Sequence, residues 1–179
     1  LASYNVTIIT DPEHILTRAS SLIVSPDSKT LYVGTDTDYI VALPVNSDSL
    51  SSSNKLVEGV LPDDYHLGLA FDPAGHKLYV GNQSAGSVSI LSVDGMQAQL
   101  EETILDDGDF SGAAGMVVSP DGATLYVAQR DSNSVLSVPL NNPGSILVQP
   151  GIIGALGLSL SPDGSILYVT QGDDAIDTT

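Results

Sequence analysis

Short apolar runs alternate with polar turns along the whole chain, and four of the turns belong to one repeated phrase. "SPDSKTLYV" occupies residues 25–33, "DPAGHKLYV" 72–80, "SPDGATLYV" 119–127 and "SPDGSILYV" 161–169. Their prolines, Pro26, Pro73, Pro120 and Pro162, are spaced by 47, 47 and 42 residues. An apolar run ends at each phrase, over 21–25, 68–72, 115–119 and 157–161. The turn that follows places Asp where a type I turn favours it and Gly where positive φ is needed. Leu-Tyr-Val then supplies β-forming residues for a second strand. A third strand is expected over 39–45, 87–93 and 134–140, and a more variable fourth over 55–60, 100–105 and 145–150. No segment carries a helical period.

Four antiparallel strands in a period of 42–47 residues, here called A to D, describe a propeller blade. The expected fold is therefore all-β, a β-propeller of four-stranded antiparallel blades, with about four blades' worth of chain. Residues 19–65, 66–112 and 113–154 read as whole blades. The last blade is split between the termini: 155–179 supplies strands A and B, and 1–18 supplies C and D, with "NVTIIT" at 5–10 as C and "HILTR" at 14–18 as D. Three arrangements follow: closure of one chain as four blades, two chains in a larger ring, or a piece of a longer propeller.

Composition narrows the partners. The 179 residues are 42% hydrophobic, which suits a globular core. There is no apolar run near 18 residues, so membrane insertion is not expected. The first residues lack a basic stretch and a long apolar core, so no signal peptide is visible. With 22 acidic and 5 basic residues the net charge is −17, which disfavours nucleic acid and points to a protein or cationic ligand. Cysteine is absent, which removes disulfides and thiolate sites. Asn5 and Asn82 each open an Asn-x-Ser/Thr sequon, relevant to glycosylation in a secreted eukaryotic protein.

Ser119-Pro120-Asp121-Gly122 with Leu125-Tyr126-Val127, and Ser161-Pro162-Asp163-Gly164 with Leu167-Tyr168-Val169, resemble the YVTN-type β-propeller repeat. The resemblance covers nearly the whole chain. It implies a propeller related to surface-layer proteins and to lactonase-like enzymes. Trp and the WD dipeptide are absent, which separates the chain from WD40 propellers. The leading expectation is an extracellular or cell-surface binding and structural module that assembles through its split blade. The alternative is a lactonase-like propeller enzyme with a metal or acid/base site at the mouth of the central channel.

The resemblance also implies that the D–A and B–C loops share one face. That face receives Asp63, Asp64, Asp106, Asp107 and Asp109 from D–A loops, and Asp36, Asp38, Asp131, Asp173 and Asp174 from B–C loops. Clustered carboxylates suit Ca²⁺, which takes several oxygen ligands; Asp63, Asp64, Asp106, Asp107 and Asp109 are the metal candidates. The alternative is a solvated acidic surface. Asp27, Asp121 and Asp163 belong to the A–B turns on the opposite face, with Asp72 just before its turn. Seven residues before the phrase prolines stand Ala19, His66, Ala113 and Ala155. A histidine among alanines at the start of an innermost strand is the candidate acid/base or metal ligand. The alternative is a space-filling or solvated side chain. Otherwise the chain has no G-x-S-x-G, H-E-x-x-H, P-loop or G-x-G-x-x-G motif.

Overall fold

A computed structural model describes residues 8–59, 61, 66–105 and 112–172; for His66, Leu67 and Leu105 it describes the backbone alone. Fourteen strands form among them. The first blade is β1 (Ser21–Val24), β2 (Thr30–Gly34), β3 (Ile40–Pro44) and β4 (Lys55–Leu56). The second is β5 (His66–Phe71), β6 (Lys77–Asn82), β7 (Ser87–Asp94) and β8 (Gln97–Leu105). The third is β9 (Ala113–Val118), β10 (Thr124–Gln129), β11 (Ser134–Pro139) and β12 (Leu147–Pro150). A two-stranded sheet follows, β13 (Ala155–Leu160) and β14 (Leu167–Gln171). Each whole blade is an antiparallel meander in sequence order. The innermost strands pack in succession, β1 on β5, β5 on β9 and β9 on β13, with no comparable packing of β13 on β1. The described chain is thus an open arc of a propeller rather than a closed four-bladed ring. No described helix is long and apolar enough to cross a membrane.

The repeated phrase makes the corner its chemistry predicts. Ser25, Ser119 and Ser161 donate from Oγ to Asp27, Asp121 and Asp163, and the same hydroxyls accept from the N–H of Thr30, Thr124 and Ile166. Each Asp also accepts from a backbone N–H two residues on. In the second blade Asp72 stands in the serine position and takes the N–H groups of His76 and Lys77 directly, at 2.8 and 2.6 Å. Gly75, Gly122 and Gly164 follow at φ of +76°, +72° and +70°, which glycine adopts without strain.

Core sits between blades. Tyr32, Ile40 and Ala42 of the first blade meet Leu69, Leu78, Val80 and Leu91 of the second. Tyr79, Val88 and Ile90 of the second meet Leu125, Val127 and Leu136 of the third. Ala128 and Val135 meet Ala155, Leu158 and Val169 across the last junction. A Cβ on Gly68 would fall 2.5 Å from the carbonyl oxygen of Ala114, and one on Gly115 would collide with that of Leu156. Glycine at these inner-strand positions is therefore required by close strand approach.

Two expected strands do not form among the described residues. His14–Arg18 forms no strand: the Asp11 carboxylate takes the N–H groups of Ile15 and Leu16, both at 2.9 Å, and His14 and Arg18 adopt φ of +53° and +42°. Of 5–10, the described residues make only an isolated parallel bridge, Thr10 to Ser49. The segment lies against the first blade, where Ile15 packs with Val33, Val41, Leu43 and Leu50, and the Tyr39 hydroxyl donates to its carbonyl at 3.0 Å. The fourth strand of the first blade, expected over 55–60, stops at Leu56, because Val57 and Gly59 turn to φ of +53° and +73°.

Ile15→Ala removes a fully packed side chain and is expected to cost about 2–4 kcal/mol, read as a lower urea midpoint. A separate expectation concerns the turns. Hydrogen bonds from Ser161, then from Ser165, hold the Asp163 carboxyl at about 2 against an ordinary 3.8. A depressed carboxylate stabilises the fold above its unfolded value and loses that contribution as pH falls through about 2. Ser161→Ala is expected to move the NMR-detected titration of Asp163 up toward 3.8.

Candidate functional site

The register sets the layer at the channel mouth. The first residue of each inner strand pairs with the last residue of its neighbour: His66 with Asn82, Ala113 with Gln129, Ala155 with Gln171. A register shift follows in each case, between His66 and Gly68, between Val127 and Gln129, and between Ala155 and Leu158. Bulges at such positions re-aim the chain beside functional sites. The alanines equivalent to His66 do not share one environment. Ala113 and Ala155 are fully buried in the inter-blade core, while Ala19, at the free end of the arc, is exposed.

The polar residues of this layer lie at the end of the second strand of each blade, Thr35 one residue past it. Thr35, Asn82, Gln129 and Gln171 all stand three residues after the phrase tyrosine. The first three are buried. Thr35 Oγ1 donates to the carbonyl of Tyr39 at 3.1 Å. Asn82 Nδ2 donates to Ser87 Oγ at 3.0 Å and Ser89 Oγ at 2.9 Å. Gln129 Oε1 accepts from Ser134 Oγ at 2.7 Å. Asn82 Oδ1 and Gln129 Nε2 have no hydrogen-bond partner among the described residues. Buried amides of this kind normally satisfy the second atom with ordered water or a ligand. Neither residue was among the candidate site residues, and Asn82 stood out only as a sequon, yet the signal was there: one polar residue at a fixed offset from the phrase tyrosine. Burial also removes Asn82 as a glycosylation acceptor in the folded chain.

The acidic candidates divide. Asp63, Asp64, Asp106, Asp107, Asp109, Asp173 and Asp174 lie outside the described residues. Two of the remaining three carboxylates on that face bond within the loops. Asp36 pairs with Arg18 at 3.4 Å, and Asp38 accepts from the Gly59 N–H at 2.9 Å. Asp131 sits against Gly112, where a Cβ would come within 2.8 Å of its carboxyl carbon. Among the described residues no three metal-ligating side chains gather.

A family model of the lactonase, seven-bladed β-propeller, matches residues 4–108. The chain belongs to this lactonase family of propellers. Its fold is similar to Kuenenia stuttgartiensis hydrazine synthase, with a TM-score of 0.71 at 21% identity, over 97% of this chain and 46% of that one. It is also similar to a candidate 6-phosphogluconolactonase from Bacteroides uniformis, with a TM-score of 0.65 at 22% identity, over 92% of this chain and 51% of that one. The lactonase-family chain thus spans about half the length of each. The propeller expectation holds; the finer YVTN assignment rests on the repeated phrase.

Gln129→Met deletes one unpartnered donor but strands the buried Ser134 hydroxyl, and is expected to cost about 1–3 kcal/mol. Adding Ser134→Ala is expected to recover most of that loss in the same urea titration, because neither polar group is then left alone.

Proposed function

We propose that this chain is part of a lactone-hydrolysing propeller, with its chemistry at the channel mouth and His66 as the acid/base. The observation that carries the proposal is the lactonase family match over residues 4–108. It favours the enzymatic alternative over the cell-surface binding module. The likeness to a candidate 6-phosphogluconolactonase is consistent with it at the level of fold.

In this reading His66, at the first position of β5, accepts a proton from water as the oxygen attacks the lactone carbonyl. The tetrahedral intermediate collapses with cleavage of the ring C–O bond. The leaving alkoxide takes the proton from the imidazolium, and the product is the open hydroxy acid. Asp63, Asp64 and Asp106 are the proposed carboxylates beside it, as ligands for a divalent cation such as Ca²⁺ that would polarise the carbonyl.

Charge selects the substrate class. Lys29, Lys55, Lys77 and Arg18 each pair with a carboxylate, at 3.2, 2.8, 2.9 and 3.4 Å. With a net charge of −17, this half of the propeller is poorly suited to anchor a phosphate. An uncharged lactone is the proposed substrate.

Hydrolysis of glucono-δ-lactone by the purified chain, followed by pH-stat above the spontaneous rate, tests the reading. His66→Ala is expected to lower the rate by about 10²–10⁴-fold, the usual contribution of a general base. A parent chain no faster than spontaneous hydrolysis, or a variant as fast as the parent, overturns it.

A further inference from the structure

The copies of the repeat disagree along one row of the second blade. On β6 and β7 the register pairs Asn82 with Ser87 and Val80 with Ser89. In the third blade the same positions pair Gln129 with Ser134 and Val127 with Leu136. In the first blade Val33 pairs with Val41. Of the three whole blades, the second alone sets a serine opposite the phrase valine. The inner strand differs at the same level. His66 begins β5 and pairs with Asn82, where Ala113 pairs with Gln129 and Ala155 with Gln171. His66, Asn82, Ser87 and Ser89 thus form a polar row across three strands, at positions that are partly apolar in the other copies. Asn82, Ser87 and Ser89 are at most 1% exposed. Polar groups so deeply buried are tolerated when they bond to one another.

The bonds within the row leave one atom over. Sheet order places β6 between β5 and β7. Asn82 Nδ2 uses both of its protons toward β7, on Ser87 Oγ at 3.0 Å and Ser89 Oγ at 2.9 Å. Its Oδ1 has no partner among the described residues. A buried acceptor without a donor opposes folding. The equivalent Thr35 of the first blade leaves no such atom, since its hydroxyl bonds the Tyr39 carbonyl. Directly paired residues of an antiparallel sheet carry their Cβ atoms on one face, about 5 Å apart. The residue paired with Asn82 on the β5 side is His66, and an imidazole always carries at least one N–H.

We propose that Asn82 Oδ1 accepts the ring N–H of His66 and so fixes which imidazole nitrogen is bare. Asn82 is then a positioning residue for the acid/base, and its part in lactone hydrolysis rests on the function proposed above. A general base must present its bare nitrogen to the attacking water. A ring free to exchange tautomers does so only part of the time. Ser87 and Ser89 hold the amide nitrogen from the far side, which keeps the oxygen directed away from β7. The alanines at the equivalent inner positions need no such support.

Histidine side-chain ¹⁵N NMR on the full chain, at a pH well above the ordinary histidine range, tests the hydrogen bond without substrate. His66→Ala identifies the His66 signals among those of the three histidines. The parent is expected to show one His66 tautomer, and Asn82→Leu an average of two. Asn82→Asp keeps an acceptor while the serine hydroxyls turn to donate, and is expected to retain the single tautomer. Gln129→Met, at the equivalent position beside Ala113, is expected to leave the His66 signals in place. A tautomer mixture in the parent overturns the proposal, whether or not the variants fold. So does a single tautomer that survives Asn82→Leu.

The glucono-δ-lactone assay tests the positioning role. Asn82→Leu is expected to lower kcat about 10–100-fold with KM unchanged, the usual effect of losing a histidine's supporting partner. Asn82→Asp is expected to restore most of the rate. An unchanged kcat in Asn82→Leu overturns the positioning role even where the tautomer shifts. A parent chain no faster than spontaneous hydrolysis overturns the enzymatic reading and the positioning role with it, and the NMR result then decides the hydrogen bond by itself.

Discussion

Successive blades lie so close that backbone meets backbone, and that constraint governs the rest of the molecule. Gly68 lies under the carbonyl of Ala114 and Gly115 under that of Leu156, with no room for a Cβ. At the outer end of the same strands, turn glycines sit on the prolines of the preceding blade. These contacts bring the facing sides of adjacent sheets together tightly enough to bury Tyr32, Tyr79, Leu78 and Leu125. A propeller blade has no core of its own. Each face is stabilised only by a neighbour, so burial passes from blade to blade. The N-terminal segment shows the same rule from the other side: it forms no strand, yet it orders against the first blade by filling an apolar face.

That packing separates structural from chemical residues. The Asp residues of the phrase look like candidate ligands in isolation, but each is held by serine and backbone donors within its own corner. The buried amides of Asn82 and Gln129 are different. Their strand-end position places them in the layer of His66 and the bulges, and each has one polar atom without a partner among the described residues. Stability alone does not favour such groups.

Much of this architecture was legible beforehand because repetition averages out local noise. Four copies of one phrase set the strand order and the turn at each corner. The errors fell where copies were unique. His14–Arg18 looked like a strand by composition, but the Asp11 carboxylate competes for its N–H groups and φ turns positive twice. "KLVEGV" failed after two residues for the same backbone reason at Val57 and Gly59. The alanine ring was placed correctly along the strands, but its exposure was misjudged, since inter-blade packing closes over Ala113 and Ala155.

The sequence by itself determined the period, the turn chemistry and the strand polarity, because these depend on contacts a few residues apart. Tertiary structure alone decided what closes over each copy of the phrase. Tyr32 is 1% exposed because Phe71 and the Gly95 carbonyl of the next blade cover it. It likewise decided that Asn82 and Gln129 are sealed among serines at the mouth of the channel. Burial is a property of what packs above a residue, and no local pattern encodes it.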